Sequence, residues 1–261
     1  MMRALVVFVF SQFSSLSVTE AQMKGIALST HTCPVRNEVE IEDILENVYG
    51  VYEGELGHYD TVIVDHAKNL CGRYHAYRHM LHTTWLCHDA CRHYADVLSP
   101  TQRRLLLVVA LMHDANHTGR AGDGNDDVNI TLAQRFFRKH VAPEDKPFLD
   151  TIESYICPTK FPYNIGGQDL CLEVQILRDA DRANGLDPAW FQMVIMDLGE
   201  EMGLGPREML AGQESFFGFL SFYTEWAQRS WPRAVIDKRI RAVQRRLAIW
   251  NRFGGERVAK R

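Results

Sequence analysis

Three stretches of the chain carry imidazoles and carboxylates in an order that could hold a cation: Tyr74-His75-Ala-Tyr-Arg-His79, Leu111-Met-His113-Asp114-Ala-Asn-His117 and Leu177-Arg-Asp179-Ala-Asp181-Arg182. A divalent ion serving hydrolysis needs such ligands fixed in position, with coordination places left open for water and substrate. Side chains brought from separate helices into a bundle core meet that need. His75 and His79 stand at i and i+4, so one helix face presents both, as two ligands or as a ligand with a proton donor above it. An ordinary solvated, His-rich helix is the competing reading, since His82, His88 and His93 follow.

His113-Asp114 is a sharper signal because it directly follows the apolar run Leu105 to Met112. Two polar groups at the end of a buried element would cost roughly several kcal/mol if left unpaired. A metal ion removes that cost more fully than a simple hydrogen-bonded pair. The similar pair His88-Asp89 lacks the apolar lead-in and reads as an exposed turn. Asp179 and Asp181 point about 200 degrees apart on a helix, so one of them faces the ion, and Asp181 completes the set. Their alternative is a pair of weak surface contacts with Arg178 and Arg182.

The elements that must position these groups read as helices. Glu40 to Tyr52 is amphipathic, Tyr59 to Leu70 and His75 to Leu98 follow, and Ser99-Pro100 caps and opens a buried helix that ends at Met112. Helical patterning resumes over 128–140, 144–157 and 169–183, with loops at 119–124 and 158–167. From Pro188 to Trp250 it is broken near Gly203-Leu-Gly205 and Trp231-Pro232. No alternating strand pattern and no repeat is visible, so the expected fold is all-α.

With 261 residues and 46% hydrophobic content the chain can bury a full core. From Arg233 onward there are ten Lys or Arg against two acids; the overall formal charge is −4, so the preceding part carries −12. Ile240, Val243, Leu247 and Trp250 recur at helical spacing in that basic end, which reads as a terminal helix docked on the acidic body. Binding of nucleic acid or an anionic surface is the alternative. The six cysteines lack zinc-ribbon spacing and read as reduced thiols, with Cys87 and Cys91 in the core. Ala4 to Phe10 reads either as a short signal peptide or as part of a false upstream start before Met23. No run of eighteen apolar residues follows, so no membrane span is expected and the cytoplasm is the expected compartment, export being the alternative. The resulting division is an N-terminal segment 1–22, a catalytic domain 23–230 and a basic helix and tail 231–261.

The ordered set His79, His113-Asp114, Asp181 resembles the HD superfamily of metal-dependent phosphohydrolases. Tyr74-His-x-x-x-His79, His113-Asp-x-x-His117-x-Gly119 and Asn125-Asp126 most resemble class I cyclic nucleotide phosphodiesterases, over residues 74 to 182 and less closely to 227. The resemblance implies an HD-domain helical bundle with two divalent ions, Zn, Mg, Mn or Fe, in its core. It makes His79, His113, Asp114 and Asp181 the ligands, with Asp114 bridging, and implies attack of a metal-bound hydroxide on a cyclic nucleotide. It makes His75 the acid that protonates the ribose oxygen, and His117 a group that handles protons or orders water. Asn125 falls on the substrate side. Gln213-Glu-Ser-Phe216 resembles the segment in which a Gln and an aromatic ring clamp the purine; an amphipathic core helix gives the same residues.

Departures are Ala76, His82 and Arg120-Ala-Gly122, where the family has Asn, Asp and an early Asn. Asp179-Ala-Asp181-Arg182 is more typical of HD hydrolases in general, including those acting on nucleoside triphosphates, where Arg182 would touch phosphate. That activity is the first alternative. A diiron oxygenase of the same superfamily would need more imidazoles than His117 and His140 between the His-Asp pair and Asp181. A non-catalytic nucleotide-binding module is the last reading.

Overall fold

The computed structural model describes residues 45, 54–68, 73–120, 124–161, 163 and 166–258, without the side chains of 168 and 253–258. Among these residues every regular element is helical, which agrees with the all-α expectation. The helix expected over Glu40 to Tyr52 and the N-terminal segment fall outside the described residues, apart from Leu45.

Helix α1 spans Gly57–His66, α2 Tyr77–His93 and α3 Pro100–Met112. The start of α3 follows from its first residues: Ser99 Oγ accepts the Gln102 N–H, Gln102 Oε1 accepts the Ser99 N–H, and Pro100 takes the first helical position. All of Leu105 to Met112 is buried, and α3 packs against α1, α2, α5 (Leu149–Ile156) and α6 (Leu172–Ala183). The apolar run is therefore the central helix of the bundle, and it delivers His113 and Asp114 at its C-terminal end.

Several expected boundaries move for physical reasons. Helix α2 begins at Tyr77, because the backbone at Ala76 is extended (φ −116°, ψ 174°). His75 thus precedes the helix and does not share its face with His79. Helix α4 starts early, at Asn125, as soon as the left-handed Gly124 (φ 85°) turns the chain, and runs to His140. The helix expected over 144–157 opens as a tighter 3₁₀ turn, Pro143–Phe148, in which Pro147 has no N–H to donate, and only then becomes α5.

The last third holds a π-helix, Phe191–Leu198, continued by the turn Gly199–Glu201, then α7 (Pro206–Phe219), α8 (Glu225–Ser230) and α9 (Arg233–Val258). The basic helix α9 lies along α7, with Ile236 and Val243 buried and Ile240 and Leu247 half-buried against the core. It is docked by its apolar stripe, as the helical spacing of those residues predicts. No described helix is long and apolar enough to cross a membrane.

Polar groups in the core also tie the bundle together. Arg104 of α3 makes a bidentate pair with Asp145, both bonds 2.9 Å, and Tyr59 donates to the same carboxylate at 2.5 Å. Arg104 and Asp145 are both buried. Removing one partner strands the other charge, so Asp145→Ala should lower stability by about 3–5 kcal/mol, read as a lower urea midpoint with an unchanged slope. His82 and His88, expected on a solvated face, are buried as well. His82 Nδ1 lies 2.8 Å from Asn184 Oδ1 and so ties α2 to the turn after α6, while Asp89 accepts the Trp226 indole N–H at 2.7 Å.

Candidate metal centre

Donor atoms of His79, His113 and Asp114 lie within 4.8 Å of one another. Asp114 Oδ2 is 3.2 Å from His79 Nε2 and 3.1 Å from His113 Nε2. Asp181 joins from α6, its Oδ1 3.2 Å from His79 Nε2. Each element supplies its ligand by simple means: the first turn of α2, the C-terminal end of α3 and the last turn of α6. Asp179 instead points into the protein and accepts from the Tyr223 and Thr224 N–H groups and the Thr224 hydroxyl. Its ion pair with Arg182, 2.7 Å, is buried rather than a weak surface contact.

The donor set fits a divalent cation on one physical ground. Both ring nitrogens of His79 and Nε2 of His113 are buried without a hydrogen-bond partner. Buried imidazole nitrogens left bare are costly. His113 Nδ1 lies 2.9 Å from the Ala110 carbonyl, to which its N–H donates, and Nε2, 3.1 Å from Asp114 Oδ2, is the nitrogen placed to meet a cation. Burial pushes His79 down, but the carboxylates of Asp114 and Asp181 outweigh it and raise its pKa to about 10. Burial likewise pushes Asp114 up, and the imidazolium charges of His113 and His79 hold it well below the ordinary carboxylate range.

Beside this cluster lies a second, built from His75, His117 and Glu201. Glu201 Oε1 accepts the backbone N–H groups of Tyr74 (2.8 Å) and His75 (3.0 Å), and Oε2 lies 2.6 Å from His75 Nδ1. The carboxylate thus fixes both the backbone and the ring of His75, taking the Nδ1 proton and leaving proton exchange to Nε2. The rings of His75 and His117 stack at 3.8 Å, and His75 stands edge-on to His79 at 5.8 Å. Burial and the neighbouring His75 push His117 down to about 4. The Gly119 N–H and the Asn129 amide nitrogen face its Nδ1 and Nε2, at 3.1 and 2.8 Å, and they oppose a second proton too. His117 is thus held against His75 as a stacked ring whose protonation burial disfavours.

Glu201 and Asn129 were not foreseen. Glu201 is far from the motifs in sequence and follows a π-helix with no 3.6-residue pattern to flag it; Asn129 is one polar residue on an ordinary amphipathic helix. Asn125 opens α4 after the glycine loop. Gln213 and Phe216 share one face of α7; Gln213 is buried with Oε1 unbonded, and Phe216 packs near Gly185, where an added Cβ would sit 3.5 Å from its ring. Arg182 is held by Asp179, and its guanidinium lies 4.6 Å over the Tyr223 ring.

No family model matches the chain, and a search of curated proteins returns no match. What defines its class is therefore the site itself: an all-α protein whose His and Asp side chains could bind a metal ion.

Proposed function

We propose that the chain is a metal-dependent phosphohydrolase of the HD type, acting as a phosphodiesterase that opens a cyclic nucleotide to a nucleoside monophosphate. The observation that carries this reading is the pairing of two unlike clusters. His79 and His113 present bare buried nitrogens beside Asp114 and Asp181, and a histidine oriented by a carboxylate stands next to them. His79, His113, Asp114 and Asp181 would hold one or two divalent cations, which when bound would supply Lewis-acid polarisation of phosphoryl oxygen and a water of lowered pKa.

The chain's own residues do the rest. Glu201 holds the His75 ring through Nδ1, so Nε2 delivers the proton to the departing ribose oxygen, whose high basicity makes that donor valuable. His117, neutral and stacked on His75, keeps the ring in place. Leu106 to Met112, fully buried, exclude water from beneath the centre. A buried Gln213 with an unbonded Oε1 and Phe216 one turn away suit recognition of a base.

The commitment of Arg182 to Asp179 favours the cyclic substrate over a nucleoside triphosphate, because its charge is already neutralised. Purified chain loaded with Mn, Mg or Zn should convert a 3′,5′-cyclic nucleotide to the monophosphate in a screen that includes cyclic dinucleotides and deoxynucleoside triphosphates. Release of triphosphate or pyrophosphate from nucleoside triphosphates, with every cyclic nucleotide intact, would overturn it. Base recognition serves ground state and transition state alike, so Gln213→Ala should raise KM by about tenfold and leave kcat nearly unchanged.

A further inference from the structure

A cleft of about 370 Å³ is lined by the C-terminal end of α1, Asn116 and the last two turns of α4, and none of its lining residues belongs to the two clusters described above. Its charge is of one sign. Lys68, Arg135 and Lys139 all line it, none of the lining residues is acidic, and none of these three cations forms an ion pair among the described residues. Three neighbouring cations without counter-charges repel one another, and a bound anion relieves that repulsion.

The floor is of another kind. Leu132 and the buried Phe136 line it, the Phe136 and His140 rings lie 4.6 Å apart, and His66 stacks on His140 at 5.3 Å with the planes 19° apart. Asn116 closes one side in a left-handed conformation (φ 62°), its Oδ1 accepting the Lys68 N–H at 3.2 Å. A left-handed backbone in a non-glycine residue marks a turn held by its surroundings. The volume falls in the range of small-molecule sites and is too small and concave for a nucleic-acid duplex.

We infer that this cleft binds a small organic phosphate, its phosphate held by Lys68, Arg135 and Lys139 and its planar or apolar part laid on Phe136 and the stacked His66 and His140. Arginine pairs with phosphate oxygens through two parallel bonds, and lysine adds point charge. Asn116 lies between Asp114 and His117 in the chain, so an occupant contacts the turn that carries the metal centre.

The inference is tested independently of the proposed hydrolysis by calorimetric titration of the full chain with ADP in excess chelator, where the metal centre contributes nothing. Saturable one-to-one binding is expected, weakened about tenfold or more in the double variant Arg135→Glu/Lys139→Glu and unchanged in Asp114→Ala. Both reversed residues are exposed, so the variant should keep the wild-type melting temperature. Absence of binding in chelator, binding indifferent to the charge reversal, or equal loss in Asp114→Ala would overturn the assignment. Inorganic pyrophosphate should bind at least about tenfold more weakly than ADP, since it cannot use the aromatic floor; equal affinity would overturn the organic part of the ligand.

Discussion

Replacing Asp114 by Ala should remove both bound metal and all detectable hydrolysis. Asp114 is the one carboxylate within reach of both imidazoles, 3.2 Å from His79 and 3.1 Å from His113. Without it, Asp181, 3.2 Å from His79, is the one carboxylate of the four proposed ligands left to balance a dication. The loss of metal affinity should exceed the 10- to 100-fold, or about that, which follows from deleting a mere outer hydrogen-bond partner of a ligand. The control is Asp89→Ala, which removes the indole bond to Trp226 and touches none of the four residues named as ligands. Metal analysis after gel filtration, with turnover on the same samples, reads both. Near-full activity in Asp114→Ala, with loss in Asp89→Ala, would mean that the wrong pair was chosen.

The second large effect is expected at His75. Its ring is held by Glu201 through Nδ1 and stands outside the metal cluster, so His75→Ala should leave metal content intact while turnover on a cyclic nucleotide falls about a hundredfold or more. Glu201→Gln keeps the shape and removes the charge. It should produce a smaller loss, because the amide oxygen can still accept from His75 Nδ1 while the charge is gone. The pairing has a second signature in the carboxyl itself: burial pushes Glu201 up, and the hydrogen bond and charge of His75 outweigh it and hold it below the ordinary range. A group with a depressed pKa stabilises the fold above its unfolded value, and that stability is lost as pH falls through its folded value. Acid should therefore release His75 from its carboxylate before it unfolds the bundle. A substrate with a poorly basic leaving group, such as a nitrophenyl ester, needs no proton donor and should restore turnover in His75→Ala. Failure of such a substrate, with metal still bound, would show that His75 does something other than donate a proton.

What the sequence made legible is what local chemistry controls. Ser99 and Pro100 announce the start of α3 because a capping box and a fixed φ act within three residues. The run Leu105 to Met112 announces its burial, and the break in that run places His113 and Asp114 at its end. Helical phase made the separation of Asp179 from Asp181 legible, since the two point to opposite faces. What was not legible depends on contacts far apart along the chain. Glu201 meets His75 across 126 positions, and Asp145 meets Arg104 across 41, and neither carries a local pattern. The shared helix face expected for His75 and His79 failed for a subtler reason: the N–H groups of Tyr74 and His75 turn to Glu201 and the backbone at Ala76 is extended, so α2 starts only at Tyr77, which no propensity of Tyr-His-Ala foretells. His82 and His88 were misjudged because polarity was taken for exposure, while Asn184 gives His82 a partner inside the protein.

Everything proposed for catalysis rests on one cation bound by four side chains, and calorimetric titration of Zn or Mn into the chelator-treated chain tests that directly. The expected result is stoichiometric binding by the wild type that is lost or weakened about a hundredfold or more in each of His79→Ala, His113→Ala, Asp114→Ala and Asp181→Ala, and retained in His75→Ala and His88→Ala. Wild-type affinity in the first four variants, or no saturable metal binding by the wild type, would contradict it.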